Sequence, residues 1–312
     1  MTTGSFATDL ALYGPWARGP NRTSPAQSRR YCRRLTRSHY ENFTVASWLL
    51  PRRLHQHFAN LYAYCRWADD LADETQGPEE SLALLDWWEE QLDACYRGRT
   101  EHPVFIALAD TIARFDIARA PFADLLVAFR QDQRVTRYET FDELLEYCRY
   151  SANPVGRLVL WLGGCHDEPR AALSDCVCTG LQLANFWQDV ARDWDRGRVY
   201  LPQADCRLFG YDEAMFARRE ASEPFRRLLT TQVIEAEGWL RRGLPLVEMV
   251  PRWLRLDVAL FIHGGLAILE AIRRQDYDVW SRRPVVSKCQ KLGMAARGWW
   301  RLRRGTLVKD DS

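Results

Sequence analysis

From Pro51 onward, apolar residues return every three or four positions in segment after segment, and most segments open at Pro or close at Gly. That pattern leaves almost no room for strands. Pro51 opens a segment in which Leu54, Phe58, Leu61, Tyr62 and Cys65 keep helical spacing up to Asp73, and Gly77-Pro78 ends it. Further helices are predicted over about 79–96, 103–115, 121–134, 140–162, 169–195, 213–218, 223–242, 250–274 and 287–303. Thr140 with Glu143 forms a capping-box signature, and Gly163-Gly164 closes the helix it opens. Residues 1–24 are rich in Gly, Pro, Arg and Ser and are expected to be loose; residues 25–312 read as one all-α domain without internal repeats.

At 312 residues and 47% hydrophobic, the chain is long enough for a large core. A net charge of +2 gives no general attraction to nucleic acid, and no such partner is expected. The nine cysteines include no Cys-x-x-Cys spacing, and the start shows no signal peptide, so reduced thiols and a cytoplasmic location are expected. No run reaches the roughly 18 apolar residues that span a bilayer. The nearest, 258–272, is interrupted by His263, Gly264, Gly265 and Glu270 and reads as a buried core helix.

Two acidic ladders carry the chemistry. Tyr62, Arg66, Asp69 and Asp73 fall at offsets of four, three and four, which places them on one helix face. Asp69, Asp70, Asp73 and Glu74 crowd the last turns, where the helix macrodipole is already negative; each is misplaced by about 0.3–1 kcal/mol. In the long helix Gln182, Asn185, Asp189 and Asp193 fall at offsets of three, four and four, amid Leu181, Leu183, Ala184, Phe186, Trp187 and Val190. Buried carboxylates of this kind need a cation, a water-filled cavity or a basic partner. A lone Asp-x-x-x-Asp on a helix is ordinarily a solvated face, and Arg192, Arg196 and Arg198 offer weak surface pairing. Two matched ladders on apolar helices suit hard divalent cations instead. Mg²⁺ held in this way keeps waters and recruits phosphate oxygens, which points to a diphosphate substrate.

Residues 62–74, Tyr-Ala-Tyr-Cys-Arg-Trp-Ala-Asp-Asp-Leu-Ala-Asp-Glu, resemble the first aspartate-rich motif of the squalene/phytoene synthases. Residues 181–193, followed by Arg196-Gly197-Arg198-Val199-Tyr200-Leu201-Pro202, resemble the second, and the likeness extends from about residue 39 to about residue 283. Within the family, His39-Tyr40-Glu41-Asn42-Phe43 and Ser151-Ala152-Asn153-Pro154-Val155-Gly156-Arg157 resemble the hydroxysqualene synthase branch of hopanoid biosynthesis.

The resemblance implies an all-α class I isoprenoid synthase helical bundle with a central cavity. Asp69, Asp73, Asn185, Asp189 and Asp193 would bind roughly two or three Mg²⁺ ions, with Gln182 close by. Arg66 would meet the diphosphate, supported by Arg282, Arg283 and Lys288. Phe43, Tyr62, Tyr147, Ala152, Val155 and Gly156 match positions that line the family's cavity. The implied reaction is Mg²⁺-dependent conversion of presqualene diphosphate to hydroxysqualene: the diphosphate ionises, the carbocation rearranges, and water captures it. The Tyr147 hydroxyl is a candidate to assist departure, and Asn42, Asn153 or Tyr147 to hold the capturing water.

NADPH is not expected, and no Gly-x-Gly-x-x-Gly follows a strand, although helical relatives hold NADPH without one. The alternatives are an NADPH-dependent squalene synthase, a head-to-head phytoene or dehydrosqualene synthase, and a catalytically inactive helical interaction protein. Functional coupling to a presqualene diphosphate synthase is a further implication. The basic run Lys288, Lys291, Arg297, Arg301, Arg303 and Arg304, with Trp299 and Trp300, offers peripheral contact with the anionic inner face of a membrane.

The chain also departs from the family pattern. Glu41 stands where relatives carry Lys or Arg, and Gln188 where they usually carry Arg. A site that joins two allylic diphosphates should need those cations more than one that ionises a single diphosphate. Gly264-Gly265 stand where relatives often place Tyr, which is predicted to open cavity volume.

Overall fold

In a computed structural model of the chain, residues 6–17, 23–38, 51–287 and 293 are described. They form α-helices joined by turns, with no strand among the described residues and one isolated bridge between Arg137 and Val199. The all-α fold is therefore as expected. Contacts divide the chain into two compact units, residues 1–134 and 135–312.

The first unit contains α1 (Phe6–Tyr13), α2 (Pro25–Ser38), α3 (His55–Asp73), α4 (Pro78–Tyr96), α5 (Pro103–Phe115) and α6 (Ala120–Asp132). Helix α3 is its centre and touches α2, α4, α5 and α6. Its buried face carries Leu61, Tyr64, Trp67, Ala68 and Leu71 at helical spacing. The Trp67 ring stacks on Trp88 at 5.3 Å, and His102 meets Trp67 edge-on at 4.5 Å. His102 Nδ1 accepts the Val104 N–H at 3.2 Å and so caps α5, while burial pushes the imidazole pKa down to about 3.

The expected looseness of residues 1–24 does not hold for residues 6–13. Phe6 packs edge-on against Trp67 at 5.2 Å. Trp67 Nε1 donates to the Tyr31 hydroxyl at 2.8 Å, which donates to Asp9 at 2.9 Å, so a buried polar chain ties α1 and α2 to α3. Composition carried no sign of these contacts. Helix α2 was also not predicted, because its buried stripe of Ser28, Tyr31, Cys32 and Leu35 is narrow and lies among arginines.

The second unit contains α7 (Phe141–Ser151), α8 (Asn153–Leu162), α9 (Glu168–Asp195), α10 (Gln203–Phe209), α11 (Glu213–Ala217), α12 (Glu223–Arg242), α13 (Leu246–Met249) and α14 (Arg252–Arg274). Here α9 is central and touches α7, α8, α12, α13 and α14. Gly180 allows the crossing with α12: a Cβ there would lie 2.8 Å from the Leu240 backbone nitrogen. Asp167 caps α9 by accepting the Arg170 N–H at 2.9 Å. At its other end Gly197 adopts φ 75°, and the Arg198 N–H returns to the Asp193 carbonyl at 2.8 Å, a Schellman ending.

The helix expected over 140–162 is two helices broken at Ala152 (φ −120°, ψ −47°). Pro154 has no N–H for the Tyr150 carbonyl, and its ring clashes with that turn. Thr140 does cap α7, accepting the Glu143 N–H at 3.2 Å. Helices α10 and α13 are too short for their periodicity to be read. The helix expected over 287–303 lies outside the described residues apart from 287 and 293. No helix among the described residues is long and apolar enough to cross a membrane.

Candidate active site

The first ladder occupies the last three turns of α3. Asp70 turns into the protein and is buried, Asp69 is half-buried and Asp73 is exposed. Arg66 Nη1 lies 3.0 Å from Asp69 Oδ2 and Nη2 lies 3.3 Å from Glu74 Oε1, and the same guanidinium forms an ion pair with Asp70. Burial raises the Asp70 pKa, while Arg66 opposes the rise. Arg66, which the resemblance implies meets the diphosphate, pairs here with the acids of its own helix. Tyr62, one turn earlier, is half-buried, and burial raises its phenol pKa.

The second ladder runs along α9. Gln182 is half-buried and Asn185 is exposed, and the Asn185 amide donates to Asp189 Oδ2 at 3.0 Å. At Asp189 the helix leaves regular geometry (φ −107°, ψ 15°). This is the residue gripped by Arg283, whose Nε is 2.5 Å from Oδ1 and Nη2 2.8 Å from Oδ2. The fork also reaches Gln188 Oε1 at 2.8 Å, and Gln188 Nε2 donates to the Pro284 carbonyl at 2.6 Å. Arg282 is exposed; of the neighbouring pair, Arg283 is the one placed on the ladder. The Asp193 pKa is pushed up to about 7 by burial and by Asp189 beside it, against the pull of Arg196, Arg198 and Arg192. A cavity of about 10 Å³, room for a single water, is lined by Trp187, Asp193, Arg198 and Tyr200 among others. The Trp187 indole N–H is buried without a partner among the described residues.

An aromatic wall adjoins this ladder. Phe186 stacks on Tyr200 at 3.8 Å, and buried Tyr147 lies 5.9 Å from Tyr200 and 6.2 Å from Phe186. The Schellman ending at Gly197 and the Arg137–Val199 bridge direct the chain so that Tyr200 reaches that stack. Tyr147 is thereby joined to the helix that carries Asp189. Phe186 and Tyr200 belong to the second motif, and the signal for them in the sequence is the ring next to Asn185 and the tyrosine that follows Arg198-Val199.

Residues 151–157 are fastened to α9. Asn153 is buried and its Oδ1 accepts from Thr179 Oγ1 at 3.0 Å. Arg157 forks onto Asp175 at 3.0 and 2.6 Å. Any Cβ at Gly156 would collide with Ser174 Oγ and Cys178 Sγ, so this glycine serves close helix packing. Ala152 and Val155 are half-buried at the α7–α8 junction. The volume expected at Gly264-Gly265 divides unevenly: a Cβ at Gly265 would lie 2.9 Å from Leu240 and 3.0 Å from Leu181, whereas Gly264 faces open space. Asn42, Phe43 and Lys288 lie outside the described residues.

Asp69 and Asp73 in one unit, and Asn185, Asp189 and Asp193 in the other, are hard oxygen donors suited to Mg²⁺. Guanidiniums stand on Asp69 and Asp189 as stand-in cations. Among the described residues no cluster of three or more His, Cys, Asp or Glu is arranged around a common metal position. Mg²⁺ ordinarily uses one or two carboxylates with phosphate oxygens and water rather than an all-protein cage.

The family model described as squalene/phytoene synthase matches residues 36–290. A phytoene synthase of Arthrospira platensis is 32% identical over 290 residues, covering 87% of this chain and 93% of its own. Among solved structures, squalene synthase HpnC from Alicyclobacillus acidocaldarius is 46% identical with a TM-score of 0.78, covering 81% of this chain and 95% of its own. A dehydrosqualene synthase in complex with ligand is 27% identical with a TM-score of 0.80, covering 90% and 98%.

Proposed function

The chain belongs to the squalene/phytoene synthase family, and on that premise we propose that it converts presqualene diphosphate to hydroxysqualene. The observation that carries this reading is the pair of acid ladders, on α3 and α9, each with an arginine fork on its carboxylates. The 46% identity to squalene synthase HpnC, against 32% and 27% to the phytoene and dehydrosqualene synthases, favours a squalene-type product, and Glu41 and Gln188 in place of two cations favour ionisation of one preformed diphosphate.

In this reading Asp69 and Asp73 on the first ladder, and Asn185, Asp189 and Asp193 on the second, would hold Mg²⁺ with the diphosphate. The metal supplies Lewis-acid polarisation of the leaving group. Arg66 and Arg283, already beside the carboxylates, stabilise the departing charge. Tyr147, Phe186 and Tyr200 offer ring faces to a carbocation, each contributing about 0.5–2 kcal/mol. The carbon–diphosphate bond breaks, water oxygen bonds to carbon, and its proton leaves with the diphosphate or solvent. Among the described residues Tyr147 and Asn153, whose amide oxygen accepts from Thr179, are the candidates to hold that water.

A second reading, reductive squalene synthesis, is favoured by the likeness to HpnC, a squalene synthase. Incubation with presqualene diphosphate and Mg²⁺ without any reductant separates the two. Hydroxysqualene is the expected product; a strict NADPH requirement with squalene as product overturns the proposal. We also propose coupling to a presqualene diphosphate synthase and peripheral membrane contact through the basic run after residue 287. Sedimentation with anionic and neutral liposomes tests the membrane contact, and loss of binding on neutral lipid is expected.

A further inference from the structure

We infer that Gln188 is a positioning residue whose buried amide fastens residues 283–284 to α9 and keeps the Arg283 guanidinium at Asp189. Three features of the site carry the inference. Gln188 is 7% exposed, on the buried side of α9, yet its amide is satisfied on both atoms: Oε1 accepts from Arg283 and Nε2 donates to the Pro284 carbonyl. Pro284 has no N–H, so its carbonyl is the one backbone hydrogen-bonding group it has, and Gln188 takes it. Arg283 Nη2 is shared between Gln188 Oε1 and Asp189 Oδ2, while Nε takes Asp189 Oδ1, so the fork is held by two adjacent residues of one helix.

Only an amide performs both tasks. A carboxylate at position 188 would accept from Arg283 but could not donate to Pro284, and a cation would repel the guanidinium. The inference rests on the proposed reading at one point, that Asp189 binds Mg²⁺. When an ion takes the Asp189 carboxylate, Arg283 loses its charged partner but keeps Gln188. The guanidinium therefore remains beside the ladder, in reach of a diphosphate, rather than swinging into solvent. Arg192, the other cation near Asp189, lies 3.6 Å away with a side chain 65% exposed, and has no such tether.

The test uses the full chain and two readouts: the rise in thermal midpoint caused by Mg²⁺ with inorganic pyrophosphate, and the separate KM and kcat for presqualene diphosphate. The wild-type protein must first show the midpoint rise; its absence sinks the functional reading and leaves Gln188 aside. Gln188→Leu and the volume-matched Gln188→Met are expected to raise KM roughly tenfold and at least halve the pyrophosphate-induced rise. Gln188→Glu, which keeps the Arg283 contact, is expected to fall between these and the wild type. Arg283→Gln combined with Gln188→Met is expected to be no worse than Arg283→Gln alone, because the two act as a unit. An unchanged KM and midpoint rise in whichever of Gln188→Leu and Gln188→Met folds, or full additivity in the double variant, overturns the inference.

Discussion

Arg66 Nη1 lies 3.0 Å from Asp69 Oδ2, one turn along the same helix, and its guanidinium also pairs with buried Asp70. The acid-rich end of α3 therefore carries its own countercharge before any metal arrives. Arg66→Gln leaves the Asp70 carboxylate buried without a partner and should lower stability by about 2–3 kcal/mol in the absence of Mg²⁺. Millimolar Mg²⁺ should then raise the midpoint of the variant more than that of the wild type, since the uncovered acids bind it. Differential scanning fluorimetry with and without Mg²⁺ reads both effects. An unchanged midpoint would mean that Asp70 is held as the neutral acid.

Neutralising either ladder should remove the same function. Asp69→Asn and Asp189→Asn are each expected to lower kcat/KM by roughly 10²-fold or more and to abolish stabilisation by Mg²⁺ with pyrophosphate. The double variant should fall little below the worse single one, as residues needed for the same step do. Multiplicative losses would instead point to two independent sites.

Asp257 on α14 is 2% exposed, and neither carboxylate oxygen has a partner among the described residues. Burial pushes its pKa from 3.8 to about 7. The folded state thus binds this proton more tightly than the unfolded chain, so stability declines as pH rises from about 4 to about 7 and is level above that range. Asp257→Asn should raise the midpoint at pH 8 and leave it near the wild-type value at pH 4, with a gain of at most about 4 kcal/mol. Thermal melts across that pH range decide it, and equal shifts at both ends would contradict the assignment.

Two glycines should respond oppositely to the same change. Gly180→Ala drives a methyl into the Leu240 backbone at the α9–α12 crossing and should destabilise by about 1–3 kcal/mol. Gly264→Ala enters open space within α14 and should stabilise by up to about 1 kcal/mol through helix propensity. Urea denaturation of the two variants measures the difference, and a loss of turnover in Gly264→Ala with stability intact would mark that space as substrate volume.

Much of the fold was legible because it is local. Pro and Gly breaks, the Thr140 cap and the spacing of Leu54, Phe58, Leu61, Tyr62 and Cys65 act within a few residues, and they located α3, α9, α12 and α14 to within a few positions. The exceptions had local causes that were weighed too lightly or long-range causes that could not be weighed. Pro154 broke α8 from α7 as proline does. Helix α1 persists in a composition that reads as loose because Trp67 and Tyr31 hold Phe6 and Asp9.

The chain's own order of residues determined the all-α class and the two acid ladders, since side chains three and four apart share a helix face whatever surrounds them. Tertiary structure alone decided what each rung faces. Asp70 turns inward onto Arg66, Gln188 receives a guanidinium and a carbonyl from more than ninety residues away, and Gly264 rather than Gly265 meets open space. The first depends on how α2, α4, α5 and α6 pack around α3, and the others on how α9, α12 and α14 cross and where the chain after α14 returns. A helix's periodicity sets which residues share a face; only its neighbours set what that face meets.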